Sequence, residues 1–124
     1  MNELDTAIYT ALTAGTVNAY NMSAGTAALP YVIYNQQAGG YLNEAQHDAV
    51  EYLYQMQCYS GVSLAAAWAQ EAQVKALLKG KTLSVSGWTH VSTFRETDVP
   101  IMETLANGEH VYSVRAFYRF RLSK

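Results

Sequence analysis

The sequence has few charged residues, one cysteine and two prolines, and these scarcities exclude several classes of protein. Only 15% of its 124 residues are charged and half are hydrophobic, which excludes a disordered, highly charged chain. The single cysteine, Cys58, has no partner for an internal disulfide and alternates with apolar residues, so it is predicted to be a small core residue. No apolar run reaches the ~20 residues of a membrane-spanning helix, and the first residues lack the features of a secretion signal. We therefore expect one domain, residues 1–124, that is made in cytoplasm and does not bind membranes.

Charge and motif content argue against nucleic-acid binding and catalysis. The formal net charge is −2, whereas dedicated nucleic-acid binders are usually basic. No nucleophile elbow, P-loop or dinucleotide fingerprint occurs, and the carboxylates are too isolated to form an acid–base pair. His47, His90 and His110 fall in different segments, without the short ligand spacing of a zinc site. The sequence predicts a protein that is not an enzyme and has no cofactor or metal site.

Two segments have the spacing of amphipathic helices. In the first, Leu4, Ile8 and Leu12 recur every four residues, and Gly15 follows at the position of a left-handed C-terminal cap. The second begins after Ser63, a favourable N-cap, and its Ala, Leu, Gln and Lys content favours helix up to Gly80. The apolar stripe predicted to face the sheet consists of Leu64, Ala67, Trp68, Val74 and Leu78.

Two charged residues interrupt the apolar stripe of the second helix. Glu71 and Lys75 lie four residues apart, so they fall on the same side of the helix. Because opposite charges at this spacing attract each other along a helix surface, we expect Glu71 and Lys75 to pair.

The rest of the chain has mostly strand-like patterns. Residues 48–59 and 110–123 alternate between apolar and polar positions, as half-exposed strands do. TVNAYNM, LPYVIYNQQ and KTLSVSGWTHVSTFRE are further β-rich runs, and Asn107-Gly108 indicates a hairpin. Pro100 is expected to interrupt the first arm of that hairpin unless it lies at an edge or bulge. The predicted fold is α+β, with two helices and a mainly antiparallel sheet of about five strands, in the order α-β-β-β-α-β-β.

The last strand carries a row of arginines. Its alternation places Arg115, Arg119 and Arg121, three of the four arginines in the chain, on the polar face. One explanation is a strand face that is solvated or paired within the chain. A second explanation is a subunit interface, in which arginines bind carboxylates of a neighbouring copy. A third, contact with DNA that passes through a lumen, is the least favoured, because clustered arginines would hold phosphates too tightly for DNA to slide. The candidate partners within the chain are Glu51, Glu96 and Glu103.

Several local motifs follow one another in an order that is typical of one family. They are AYNM, ALPYVIYNQ, a long strand, QVKALLKGKTLSVSGWTHVSTFRE and HVYSVRAFYRFRLS, and they span nearly the whole chain. This order resembles the tail completion, or tail terminator, proteins of long-tailed bacteriophages. The most family-like residues are Leu29-Pro30-Tyr31, Leu78 with Gly80, and Tyr118-Arg119-Phe120-Arg121. The chain departs from the family pattern in a short connection after the first helix and in an extended TDVPIMETLANG hairpin.

The resemblance implies a structural virion protein without catalytic activity. Such a protein forms a homo-oligomeric ring, a hexamer in well-known members, at the head-proximal end of the tail tube. The ring ends tube growth and provides the head–tail joining surface. The implied partners are further copies of the chain, the tail tube protein and the head–tail connector protein, while DNA passes through the lumen without specific binding. The implied location is the virion tail, after assembly in the host cytoplasm.

Two sets of residues are candidates for these contacts. The subunit-interface candidates are Arg115, Arg119, Arg121 and Glu51. Segments rich in small or apolar residues, predicted to be loops, are candidates for docking to tube and connector. They contain Gln37, Gly39, Gly40, Tyr41, Ile101 and Met102. If residues 37–41 form a loop, deleting them should leave the fold intact.

A second function from a different class is compatible with the sequence. A small α+β domain can bind an apolar ligand in a cup between its long helix and its sheet. Trp68, Trp88 and Phe94 are the candidate walls of such a cup. The alternative explanation for these aromatics is that they are ordinary core residues.

Overall fold

The computed structural model describes residues 1–25, 28–42, 48–104 and 108–124. Within them, two helices and six strands form an α+β fold, with the strands in the order β1-β2-β3-β6-β5-β4 in a single sheet. All neighbouring strands are antiparallel except β1 and β2, which are parallel. The elements are α1 (Asn2–Ala14), β1 (Ala19–Asn21), β2 (Tyr31–Tyr41), β3 (Ala49–Ser60), α2 (Leu64–Leu78), β4 (Ser84–Val85), β5 (Trp88–Thr104) and β6 (His110–Ser123).

The α+β class and the mainly antiparallel sheet are confirmed, but the predicted strand count is too low. The segment KTLSVSGWTHVSTFRE contains two strands that are joined by a tight turn. Val85, at the end of β4, is paired directly with Trp88, at the start of β5. Gly87 has a φ of +81° in this turn, a conformation that glycine adopts without steric cost. The observed order is therefore α-β-β-β-α-β-β-β.

Strands β3 and β6 form the centre of the sheet. They pair without a register shift from Ala49 opposite Ser123 to Ser60 opposite Tyr112. The alternation predicted for both strands is confirmed, since one face carries fully buried side chains. These are Val50, Tyr54, Met56, Cys58, Val114, Ala116, Tyr118, Phe120 and Leu122.

Both helices pack on that buried face and complete a single core. Helix α1 contributes its predicted residues Leu4, Ile8 and Leu12. Helix α2 contributes Ala67, Val74 and Leu78, whereas Trp68 is 36% exposed and lies beside the predicted stripe rather than in it. The opposite face of the sheet has no helix packed against it among the described residues.

Helix α2 begins and ends as its sequence predicts. The hydroxyl oxygen of Ser63 accepts a hydrogen bond of 3.1 Å from the backbone N–H of Ala66, which satisfies a donor that the first turn leaves free. At the other end Gly80 has a φ of +74°, a conformation that favours glycine.

The end of α1 corrects the prediction of a left-handed cap at Gly15. Gly15 has a φ of −89°, and the left-handed residue is Thr16, with a φ of +62°. A Cβ atom at position 15 would lie 2.5 Å from Cδ1 of Leu77. A glycine at position 15 thus leaves room for the Leu77 side chain of α2, whereas its own backbone conformation does not favour glycine.

Glu71 is buried in the core and does not pair with Lys75, so the predicted pair is wrong. Its carboxylate is 2% exposed and accepts hydrogen bonds from Arg95 Nε at 2.9 Å and from the Tyr118 hydroxyl at 2.6 Å. The Cys58 thiol lies 3.6 Å from its other oxygen. Lys75 is exposed. Arg95 of β5 and Tyr118 of β6 are directly opposite each other in the ladder. Helix α2 packs over them, which places the Glu71 carboxylate within hydrogen-bond distance of both.

Burial beneath α2 changes the acidity of two neighbours of Glu71. Burial, and then the nearby carboxylate, raises the pKa of the Tyr118 hydroxyl and of the Cys58 thiol. Both groups therefore remain protonated at neutral pH and can donate to Glu71. The prediction that Cys58 is a core residue is confirmed, since it is fully buried.

Strand β5 continues through Pro100, which lies on an edge strand, so the exception allowed for an edge or bulge applies. Its register against β6 shifts between His90 and Ser92 and again between Arg95 and Asp98, and Pro100 lies opposite Val114 after the second shift. In the described residues β4 pairs only with the start of β5, which leaves the remainder of β5 as an edge strand. A proline is tolerated in an edge strand because its backbone nitrogen, which lacks a hydrogen, can lie on the side that has no neighbouring strand.

Replacement of Glu71 by alanine should lower the free energy of unfolding by about 3 kcal/mol, because the buried Tyr118 hydroxyl would lose its acceptor and the partly buried Arg95 would keep only Asp98 as a partner. Lys75→Ala, one helical turn away, should change it by less than about 0.5 kcal/mol. Urea denaturation of both variants measures the difference. Equal effects would contradict the pairing of Glu71 with Arg95.

Candidate functional site

The face of the sheet that points away from both helices is here called the outer face, and no helix covers it among the described residues. Residues opposite each other in the ladder share a face, so the register defines its members. On β3 they include Glu51, Gln55 and Gln57, and on β5 they include Phe94, Glu96 and Val99. On β6 they are Ser113, Arg115, Phe117, Arg119 and Arg121.

Arg119 and Arg121 are paired within the chain. Arg119 contacts Glu51 at 2.8 Å and Glu96 at 2.6 Å, and Arg121 contacts Glu51 at 2.9 Å. The hydrogen bond from Arg121, opposed by partial burial and assisted by Arg119, keeps the pKa of Glu51 below its usual value. Pairing within the chain, the first of the three explanations for the row, is thus present for Arg119 and Arg121. Of the three candidate partners, Glu51 and Glu96 take part.

Arg115 differs from the other two arginines of the row. In the part of the chain that the structure describes, it forms no ion pair, and its Nε is buried without a hydrogen-bond partner. It lies between Gln57 on β3 and Val99 on β5. The Gln57 amide donates instead to the Ser113 hydroxyl at 2.9 Å. The outer face therefore contains one arginine with unused hydrogen-bonding capacity.

The residues predicted to form docking loops lie in strands. Gly39, Gly40 and Tyr41 pair with Tyr52, Glu51 and Val50 of β3, and Gln37 lies in the register shift of β2. Ile101 and Met102 pair with Ser113 and Tyr112 of β6. The loop prediction is wrong because ladder pairing with a neighbouring strand extends β2 through residues that locally favour a turn. Residues 26–27, 43–47 and 105–107, which include Asn107 and His47, lie outside the described residues.

Deletion of residues 37–41 would remove part of the ladder between β2 and β3, so the loop on which the expectation of an intact fold was based is absent. The Tyr52 ring covers Gly39 so closely that a Cβ there would lie 2.0 Å from the ring. Tyr41 and Met102 nevertheless expose about half of their surface, and both remain available for contacts.

The three aromatics proposed as walls of a ligand cup do not share a cavity. Phe94 is 61% exposed on the outer face, Trp68 is partly exposed on α2, and Trp88 packs at the edge of the core. A groove of about 420 Å³ does lie between α2 and the start of β2, but none of the three lines it. Its lining includes Leu29, Pro30, Val62, Ala66 and Gln70.

The described histidines have structural contacts. His90 Nδ1 accepts a hydrogen bond of 3.1 Å from the Leu83 backbone, and Nε2 lies 2.7 Å from the Thr93 hydroxyl. Burial lowers the pKa of His90. His110 Nδ1 lies 3.1 Å from the Thr104 hydroxyl.

Within the described ranges no three His, Cys, Asp or Glu side chains converge as a metal site would require. In the same ranges no helix is long and apolar enough to cross a membrane.

Reversal of two paired arginines tests the ion-pair network of the outer face. Arg119→Glu combined with Arg121→Glu would place two new carboxylates beside Glu51 and Glu96. We expect the free energy of unfolding to fall by about 1–2 kcal/mol at low ionic strength, since exposed pairs each contribute about 0–1 kcal/mol and like charges across strands repel. Urea denaturation at low and high salt measures the loss.

Addition of Glu51→Lys to this double variant should recover part of the loss. The wild type should have a larger free energy of unfolding than a Glu51→Gln variant at neutral pH. This difference should disappear as the pH falls through the lowered pKa of Glu51, because the carboxylate that pairs with the arginines is then protonated. An unchanged midpoint in the double variant would mean that the two arginines are merely solvated.

Comparisons with known proteins identify the fold. No protein-family model and no curated protein matches the chain. A chain from the virion of a native gene transfer agent particle is similar in structure, with a TM-score of 0.71 and 16% identity, over 98% of this chain and 95% of its own. The gp17 protein of bacteriophage SPP1 is similar with a TM-score of 0.54 and 21% identity, over 93% and 88% of the two chains. These likenesses agree with the predicted resemblance and show that the chain shares its fold, over nearly its whole length, with a chain of a gene transfer agent virion and with a bacteriophage protein.

Proposed function

We propose that the chain is a structural virion protein that forms a ring at the head-proximal end of a phage-type tail tube. In this role it ends tube growth and provides the surface to which the head is joined. The observation that carries the proposal is the likeness to a chain of a gene transfer agent virion, which extends over 98% of this chain.

The second structural neighbour supports the same class of function. It belongs to a bacteriophage, and the sequence motifs independently resemble phage tail completion proteins. A component of a virion acts through its contacts with other proteins, so the proposal needs neither a cofactor nor catalytic residues. The proposed location is the virion, after assembly in the host cytoplasm.

Exposed apolar side chains supply surface for several protein partners. Isolated exposed apolar residues are common in soluble proteins, whereas groups of them mark interaction sites. Here large hydrophobic residues are exposed on α1, on the outer face and at both ends of the sheet. They include Tyr9, Tyr41, Leu42, Val62, Val91, Phe94, Val99 and Met102.

The proposed tube and connector contacts lie at opposite ends of the sheet. Tyr41 is opposite Val50 at the start of β3, whereas Met102 is opposite Tyr112, which in turn pairs with Ser60 at the end of β3. The ten residue steps from Val50 to Ser60 correspond to roughly 34 Å along a strand. A ring subunit that meets the tube at one end and the connector at the other needs such a separation.

The pairing on the outer face is compatible with passage of DNA without specific binding. Glu51 and Glu96 neutralise Arg119 and Arg121, and an arginine paired in this way has less capacity to displace counterions from phosphate. The two arginines and two carboxylates therefore form a neutral cluster, not a row of positive charge that could bind successive phosphates. If the face borders the lumen, DNA can slide past it.

Single charges at the two ends of the sheet should produce two different assembly defects. We expect one of Tyr41→Glu and Met102→Glu to weaken the tube contact and yield overlong tubes. We expect the other to weaken the connector contact and yield tails of normal length without heads. Each charge would be desolvated in an apolar contact. Electron microscopy of particles from cells complemented with each variant measures tail length and head attachment.

Ala72→Glu, on the exposed surface of α2, is the matched control and should assemble normally. Identical defects in the Tyr41 and Met102 variants would contradict contacts at opposite ends. Normal tails formed without any copy of the protein would contradict the proposed function itself.

A further inference from the structure

We propose that Pro100 fixes the register against β6 of the last part of strand β5, residues 98–104, here called the distal arm. In the observed register the side chains of Val99 and Ile101 lie on the outer face, whereas that of Met102 lies on the helix side. A shift of one residue would exchange the two sets. Pro100 therefore decides which side chains this end of the molecule offers to a partner, in a single chain as well as in a ring.

The distal arm begins directly after a bulge in β5. Between Arg95 and Asp98 two residues, Glu96 and Thr97, lie opposite the single residue Phe117. Such a bulge leaves one residue without a partner in the ladder and bends the strand. A regular ladder, here called the alternative register, would avoid this cost by moving every later residue one position along β6. Some feature of the sequence therefore opposes the alternative register.

The apolar residues of the distal arm do not distinguish the two registers. Residues 99–102 are all apolar, so either register places two of them on each face. Val99, Pro100 and Met102 are exposed and Ile101 is half-buried, so neither face of the arm forms a core. Register is weakly specified where no face of a strand is buried, and burial does not select between the two.

Ion pairs and loop length do not distinguish the registers either. In the observed register Asp98 binds Arg95 on the helix side, at 2.7 Å. In the alternative register Asp98 would lie opposite Arg115 on the outer face, so it would exchange one arginine for another. The observed pairing of Thr104 with His110 leaves five residues between them, and the alternative register would shorten this connection by one. Hairpin loops of both lengths are common.

The backbone of Pro100 does distinguish the two registers. Successive residues of an edge strand direct their N–H groups alternately to the neighbouring strand and to the open side, and proline has no N–H to donate. Among the described residues no strand pairs with the distal arm on the side away from β6, so Pro100 is accommodated when its nitrogen faces that side. Because side chains and N–H groups alternate together, a one-residue shift would turn this nitrogen towards β6. The alternative register would then lack a ladder hydrogen bond and bring the proline ring against β6.

Moving the proline by one residue tests the inference on the isolated chain. The exchange of Val99→Pro with Pro100→Val keeps the composition. The nitrogen of the moved proline would face β6 in the observed register and the open side in the alternative one. We therefore expect this exchange to shift the distal arm into the alternative register. Pro100→Val alone removes the constraint and should populate both registers.

Two pairs of introduced cysteines report the register. Met102 lies opposite Tyr112 in the observed register, so Met102→Cys with Tyr112→Cys, the first pair, forms a disulfide there. Ile101 would lie opposite Tyr112 in the alternative register, so Ile101→Cys with Tyr112→Cys, the second pair, reports that register. Directly opposite residues have Cα atoms about 4.5–5.5 Å apart, within the range of a disulfide. The native Cys58 is fully buried in the core. Mass spectrometry of monomeric protein, equilibrated in a glutathione buffer, measures the crosslinked fraction.

The second pair should crosslink at least about tenfold more in the exchanged chain than in the chain with Pro100, because the shift moves its two cysteines to the same face. The first pair should crosslink correspondingly less. The matched control is the exchange of Pro100→Thr with Thr104→Pro, which moves the proline by four residues and so leaves its nitrogen on the open side. This control should crosslink like the wild-type sequence.

Three results would overturn the inference. One is equal crosslinking of the two pairs in the chain that keeps Pro100. Another is an exchanged chain that unfolds cooperatively in urea and still forms the first pair. If the exchanged chain does not fold, an unchanged crosslinked fraction of the second pair in Pro100→Val decides against Pro100. Since none of these measurements depends on assembly, such a result would leave the proposed function standing.

Discussion

Two buried tyrosines at the centre of the sheet hold both helices in place. Tyr54 and Tyr118 are directly opposite each other in the ladder between β3 and β6, and both are fully buried. The Tyr54 hydroxyl donates to Asp5 of α1, and the Tyr118 hydroxyl donates to Glu71 of α2. A buried hydroxyl needs a hydrogen-bond partner, so this pair of residues determines where each helix can lie.

The position of the helices leaves the other face of the sheet for contacts with other molecules. With α1 and α2 on the same side, the core occupies one face, and the outer face keeps its exposed apolar residues and its row of arginines. Two of those arginines are held by Glu51 and Glu96, which gives this face a defined arrangement of side chains. A surface with a defined arrangement of side chains loses less conformational entropy when a partner binds.

The long edge strand has features that oppose uncontrolled pairing with other strands. Strand β5 contains two register shifts and Pro100, and it turns the charged Arg95 and Asp98 towards the helix side. Bulges, proline and inward-facing charges on an edge all discourage strand addition. These features therefore keep the edge of β5 from pairing with a strand of another molecule.

The sequence by itself determined the features that depend on residues near one another in the chain. The period of two along β3 and β6, the period of α1, the N-cap at Ser63 and the glycine end at Gly80 each follow from local geometry. They were enough to predict the α+β class, the core position of Cys58 and the face that carries the arginines. The order of local motifs was enough to indicate the resemblance in fold.

Tertiary structure decided the features that depend on residues far apart in the chain. Glu71 binds Arg95 instead of Lys75 because folding brings a buried cation beneath α2, where a charge cannot stay unpaired at low cost. Gly39 and Gly40 are locally suited to a turn, yet pairing with β3 makes them part of a strand. Arg119 and Arg115 are indistinguishable by spacing alone. The ladder places Glu51 and Glu96 next to Arg119 but not next to Arg115. Arg119 is therefore paired and Arg115 is not, a difference that depends on strand register and hence on the folded sheet.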